Sequence, residues 1–191
     1  STSEPGTTTT TTSTTSGGDF DCSQNACLKC HQLDGEGGGL PFPICKNLRW
    51  DCDFPSPCGE LALAFIEPGV YEAVDVDAAV CAIEAMMGGQ PAKIALSQIS
   101  DPGAAIFVVG DGTAMIQWDT YGGDIVYAAR SGRLTLQDAS YFTACLADPT
   151  PANLGACLFG GNTLCAPEGS WTPPWSTGEC SSAIPEGCAK G

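Results

Sequence analysis

The chain has one histidine, His31, and only seven Lys and Arg residues against 22 Asp and Glu, a formal charge of −15 over 191 residues. Such a surface repels a phosphate backbone, which excludes nucleic acid as a partner, and it repels anionic lipid headgroups for the same reason. A single imidazole rules out an H-E-x-x-H zinc motif, and any Ser-His-acid or Cys-His arrangement has to use His31. No G-x-S-x-G elbow occurs. Gly110-Asp111-Gly112 lacks the lysine of a phosphate loop, the EF-hand spacing is absent, and there is no Asn-x-Ser/Thr acceptor. No apolar run approaches the roughly 18 residues that suggest a membrane-spanning helix. Ser1 stands first without an initiator Met, so we expect an export signal to have been removed.

What the chain has in abundance is cysteine. Cys22, Cys27, Cys30, Cys45, Cys52, Cys58, Cys81, Cys145, Cys157, Cys165, Cys180 and Cys188 make an even set of twelve, which implies up to six disulfides formed in an oxidising compartment. Each bridge contributes roughly 2–4 kcal/mol, chiefly by constraining the unfolded chain. Spacing leaves the connectivity open. A hydrophobic content of 43% is enough for a true core.

Four stretches differ in composition. Residues 1–21 are almost entirely Ser, Thr, Gly, Pro and acids, with Thr7 to Thr12 consecutive, so they cannot build a core and read as a tether. The same arm offers sites for O-glycans, or a donor strand for the sheet edge of a neighbouring subunit. Residues 22–60 hold six cysteines among Gly and Pro and read as a loop-rich, disulfide-knotted subdomain.

Residues 61–159 read as an α+β core. The apolar stretch 61–74 passes through it, broken by the Pro68-Gly69 turn. Asp75 or Asp77 caps a helix with Val76, Val80, Ile83 and Met87 on one face, stopped by Gly88-Gly89 and Pro91. The period then shifts towards two, with strand-length runs at 93–99, 104–109, 114–118 and 125–129 between Gly-rich turns, and a short fifth run at 133–136. This predicts a four- to five-stranded antiparallel meander with packed helices. A second helix is expected over 137–146, with Tyr141, Phe142 and Cys145 inward, and a third over 152–159. Cys81 and Cys145 fall on helices, where a bridge would pin helix to neighbour. Residues 160–191 read as a disulfide-stapled irregular tail, in which Trp171 and Trp175 flank Pro173-Pro174 as either core plugs or an aromatic platform for sugar or peptide.

The sharpest chemical motif is Cys27-Leu28-Lys29-Cys30-His31. In the C-x-x-C-H arrangement two thiols bond the haem vinyl groups and the adjacent imidazole reaches the iron. Together with the following Gly- and Pro-bearing stretch to Pro41, this segment resembles the haem-attachment segment of class I cytochromes c. The resemblance implies thioether bonds from Cys27 and Cys30 and a proximal His31, with Met86, Met87 or Met115 completing the iron or the site left five-coordinate. The same residues also read as two halves of structural cystines beside a surface histidine. A zinc set of Cys27, Cys30, His31 and Cys45 or Cys52, or a thioredoxin-like pair, is disfavoured by an oxidising compartment and by the absence of a following helix. Acid pairs such as Asp75 with Asp77, Asp51 with Asp53 or Asp111 with Asp124, and calcium at Asp34, Glu36 or Asp111, are explained more simply by caps and turns.

Residues 1–21 are similar to the linkers of bacterial surface lipoproteins, and the helix-plus-sheet core resembles the small domains that such lipoproteins carry. The expectation is an exported, surface-tethered, non-catalytic binding or assembly module without cofactor, whose partner is a protein or glycan at the cell surface. Two alternatives stand beside it: a c-type haem electron carrier, and a subunit of an extracellular polymer using the Thr-rich arm as donor strand.

Overall fold

The computed structural model of the protein describes residues 29–33, 50–97, 104–122, 125–162, 171–181 and 185–190. Its helices begin where side chains satisfy the free backbone donors of the first turn. Asp75 caps α1 (Val76–Gly88) by accepting from the Ala78 N–H at 3.0 Å, and Gly89 ends it in the left-handed conformation. Asp138 caps α2 (Ala139–Ala147) through the Ser140 and Tyr141 amides, and Thr150 caps α3 (Pro151–Phe159), with Pro151 in the first turn. The inward face of α1 is Ala79, Ala82, Ile83 and Met86, with Val76 and Val80 partly buried. Met87, expected inward, is 39% exposed, because the i, i+3, i+4, i+7 stripe runs through Met86 instead.

The α+β class holds, but the sheet is larger than a four- to five-stranded antiparallel meander. The expected strands exist as β5 (Ala92–Ser97), β6 (Ala105–Val108), β7 (Thr113–Gly122) and β8 (Ile125–Arg130), each antiparallel to the next. On one side β3 (Leu61–Glu67) joins β5 in parallel, and β4 (Val70–Ala73) returns antiparallel along β3. The long excursion through β4 and α1 supplies the crossover that a parallel pair requires. On the other side β1 (Lys29–Leu33) pairs with β8, while β9 (Arg133–Leu136) pairs with the start of β7 and with β10 (Ser176–Ser181). The result is a nine-stranded mixed sheet of order β1-β8-β7-β6-β5-β3-β4, with β9 and β10 branching from β7. A separate ribbon joins β2 (Trp50–Cys52) to β11 (Cys188–Lys190). Both cysteine-rich ends thus contribute strands, and the 160–191 tail is not wholly irregular. Their period-2 pattern is too short to read, since β2 and β11 have three residues each.

Alternation along the strands divides the apolar residues between two cores. Ile94, Leu96, Ile106, Val108, Ile116 and Trp118 face the three helices. Ala105, Phe107 and Met115 face the opposite way and are covered by Trp50 and Cys52 of the ribbon, with Phe54 and Cys188 alongside. The ribbon is fixed to the sheet by buried polar contacts. Gln117 Oε1 accepts from the Trp50 amide at 2.8 Å, and the Trp50 indole donates to the Ser131 carbonyl at 3.2 Å. The Ser131 hydroxyl in turn accepts from the Ile116 amide at 2.8 Å.

Three disulfides among the described residues hold these layers. Cys52 and Cys188 sit opposite each other in the ribbon and are bridged; Cys58–Cys81 fastens the segment after the ribbon to α1; Cys145–Cys157 joins α2 to α3. Cys180 is also disulfide-bonded. Cys81 and Cys145 therefore act as the helix pins expected of them.

Helix α3 lies unusually close to β4. A Cβ built on Gly155 would fall 2.0 Å from the Tyr71 carbonyl oxygen and 2.8 Å from the Glu72 Cα, so only glycine fits. Because both obstacles are backbone, Gly155→Ala is expected to destabilise the fold by about 2–3 kcal/mol. Gly88→Ala, which meets nothing within 4 Å, is expected to stabilise the last turn of α1 by about 0.5 kcal/mol. Urea unfolding of the two variants checks both signs.

Tyr141 donates to the Cys157 carbonyl at 2.8 Å between α2 and α3, and burial pushes its phenol up to about 12. The folded state therefore holds this proton more tightly than the unfolded chain, whose phenol titrates near 10. Its contribution to stability is complete below about pH 10 and is lost as pH rises towards about 12. Burial raises Tyr71 in the same direction. Tyr141→Phe is expected to flatten part of the stability loss across this window, measured by denaturant unfolding at stepped pH.

Candidate docking face on the outer hairpin

The β3–β4 hairpin stands at one end of the sheet. Pro68-Gly69 makes its turn, with Gly69 at φ 82°, a conformation that other residues rarely adopt. The register pairs Leu63 with Ala73, Ala64 with Glu72, Phe65 with Tyr71 and Glu67 with Val70, leaving Ile66 as the extra residue of a bulge. Leu61 and Ala73 are buried in the helix-side core, and Leu63 and Tyr71 pack against it. The Tyr71 ring lies 5.9 Å from that of Phe159 on α3 and 5.7 Å from that of Phe65. The turn is also clamped, since the Gly69 amide donates to the Asn162 carbonyl at 3.1 Å and the Gly161 amide donates to the Gly69 carbonyl at 3.0 Å.

The alternate positions form the opposite face. They are Ala62 and Ala64 of β3, Val70 and Glu72 of β4 with Val74 just beyond it, and Glu67, which pairs with Val70 past the bulge; Ile66 is the exposed extra residue of the bulge itself. Ile66 is 52% exposed, Val70 41% and Val74 66%, and Phe65 at the rim is 49% exposed. Over β6 and β7 this side of the sheet is closed by the disulfide-bridged ribbon; over β3 and β4 no described segment covers it, and it is largely apolar. The hairpin is thus a rigid support for exposed aliphatic side chains, a pattern that marks interaction surfaces. Sequence reasoning missed it because an unbroken run such as 61–66 reads as a strand buried on both faces. The only signal was the absence of cysteine between Cys58 and Cys81, which leaves this stretch without a bridge that could bring a cover to it.

The residues singled out from the sequence fall elsewhere. Cys30 and His31 lie in β1, in register with Ala129 and Ala128 of β8; Cys27 and the arm 1–21 lie outside the described residues. Among the methionines named as axial ligands, Met86 is in the helix-side core and Met115 in the ribbon-side core, on opposite faces of the sheet. Only Met87 is accessible, with the Thr143 hydroxyl 3.9 Å from its sulfur. Cys52 is bridged to Cys188, which removes it as a zinc thiolate. Asp111 is held by Arg133 and Thr113 at the β7 hairpin, and Asp75 serves as a helix cap. Among the described residues no group of three His, Cys, Asp or Glu side chains converges as metal ligands.

The two tryptophans are part of the core. Trp175 is fully enclosed and offers no ring face to a ligand, which corrects the platform reading for that residue. Trp171 is partly buried, standing edge-on to Trp118 at 5.3 Å and beside Phe159 at 5.2 Å, with its indole N–H donated to the Gly160 carbonyl. Trp171 packs where α3 ends, and Trp175 enters the same helix-side core beside β9, its carbonyl accepting from the Gln137 amide.

Compared with known protein families, with curated proteins and with solved structures, the chain matches none. Among the described residues no helix is long and apolar enough to cross a membrane.

If the exposed aliphatic residues are there for contact with another molecule, their removal has little effect on folding. Ile66→Ser combined with Val74→Ser is expected to change unfolding free energy by no more than about 0.5 kcal/mol per site. Ile94→Ser, in the helix-side core, is expected to cost several times more. Parallel urea titrations decide between a contact role and a structural one.

Proposed function

We propose that the protein is an exported, surface-tethered module that acts by binding, and that the β3–β4 hairpin is its contact surface. The observation that carries this reading is the exposure of Val70 and Val74 on the outer face, with Ile66 at the bulge beside them, on a hairpin whose turn and helix-side face are fixed by α3. A pre-ordered apolar surface loses little conformational freedom on association, so its burial contributes directly to affinity. The disulfide content supports the location, because bridges of this number persist outside the reducing cytosol. Residues 1–21 act as the tether that presents the domain away from the surface.

A photo-crosslinking residue placed at position 66, in intact cells that export the full chain, tests the reading. A discrete covalent adduct from position 66, absent when the same residue is placed at exposed position 148, is the expected result. No adduct at 66 above the level at 148 removes the hairpin as the contact surface. A visible absorption spectrum of the same material bears on the electron-carrier alternative: a Soret band surviving denaturation would assign Cys27, Cys30 and His31 to covalent haem.

A further inference from the structure

The charge around the hairpin is more one-sided than in the chain as a whole. Between Asp53 and Lys93 the sequence carries Glu60, Glu67, Glu72, Asp75, Asp77 and Glu84 and no Lys, Arg or His. Glu67 pairs with Val70 at the bulge and Glu72 with Ala64, so both carboxylates stand among the exposed aliphatic side chains. Asp75 and Asp77 are exposed just past Val74. Lys93, which ends the acidic stretch, is drawn away from the hairpin: its ammonium lies 5.8 Å from the Phe107 ring centroid under the ribbon, and its amide donates to the Pro55 carbonyl. Arg133 is committed to Asp111 at the far hairpin of β7.

Resting on the binding reading above, the geometry points to one class of partner: a cationic amphipathic polypeptide segment, with Lys or Arg interleaved with aliphatic residues. The aliphatic side chains of such a segment cover Ile66, Val70 and Val74, while its cations meet Glu67, Glu72, Asp75 and Asp77. The apolar strip supplies affinity through burial. The acidic rim selects sign and steers encounter, and it acts against a second copy of the chain, which would bring like charge to the same place. Anionic lipid is opposed on the same ground.

The test uses the full disulfide-bonded chain and three labelled dodecapeptides, alternating Lys-Leu, Glu-Leu and Lys-Ser, followed by fluorescence anisotropy at low and moderate salt. Lys-Leu is expected to bind tightest. Ile66→Ser with Val74→Ser should weaken it roughly tenfold or more. Glu67→Gln with Glu72→Gln should weaken it and reduce its salt dependence, whereas Asp148→Asn with Glu179→Gln, exposed acids elsewhere, should leave it unchanged. Equal binding of Lys-Ser and Lys-Leu, or indifference to the hairpin substitutions, would mean that diffuse charge alone is at work and would overturn the proposal. A preference for Glu-Leu that still depends on Ile66 and Val74 would overturn the partner class while leaving the hairpin as a binding surface. Concentration-dependent dimerisation in sedimentation, or adsorption to phosphatidylcholine vesicles, would likewise overturn it if abolished by the Ile66 and Val74 substitutions, reassigning the face to a second copy or to lipid.

Discussion

Strands β6 and β7 are apolar towards both sides, and a sheet buried on one face only cannot accommodate Phe107 and Met115 together with Ile106 and Ile116. The second face must therefore be covered, and the cover is a ribbon of two three-residue strands, too short to fold alone. The Cys52–Cys188 bridge closes it across 136 residues of chain. The hydrogen bonds from Trp50 to Gln117 and Ser131 then seat it on the sheet and satisfy the buried Trp50 donors. The arrangement of the sheet's centre depends on this cross-linked cover.

The same cover explains where the sheet remains open. The ribbon is short and lies over β6 and β7, and the segment leaving it runs beside β5, where Pro55 accepts from Lys93 before Cys58 is fastened to α1. Nothing in that path extends over β3 and β4. On the helix side the hairpin is held closely by α3 through Gly155 and the Gly69–Gly161–Asn162 clamp. One face is thus fixed and the other free, and the free face keeps aliphatic residues where solvent would favour polar ones. A surface that is both rigid and apolar is better suited to recognition than to stability.

Much of the scaffold was legible in the residues. Asp75 and Gly89 mark the ends of α1 because caps are local chemistry, and α2 and α3 were legible as helices to within two residues, although their caps Asp138 and Thr150 were not picked out. The meander strands β5 to β8 followed from alternation and Gly-rich turns, and the bridging roles of Cys81 and Cys145 from their places on helices. Less was legible at the ends. The pairing of β1 with β8, of β10 with β9 and of β2 with β11 joins residues far apart in sequence, and β2 and β11 have only three residues each. Of the two tryptophans, which drew attention by residue type, Trp175 is enclosed core.

The sequence by itself determined the reliance on disulfides, the acidic composition, the α+β class and the start and stop of α1, since these rest on composition and on interactions within a few residues. Tertiary structure alone decided which cysteines meet, that β3 runs parallel to β5, and that the apolar stretch 61–66 has one face buried and the other open. Those outcomes depend on which distant segment arrives to cover a surface. An apolar run carries no record of whether its cover comes from its own chain or from another molecule.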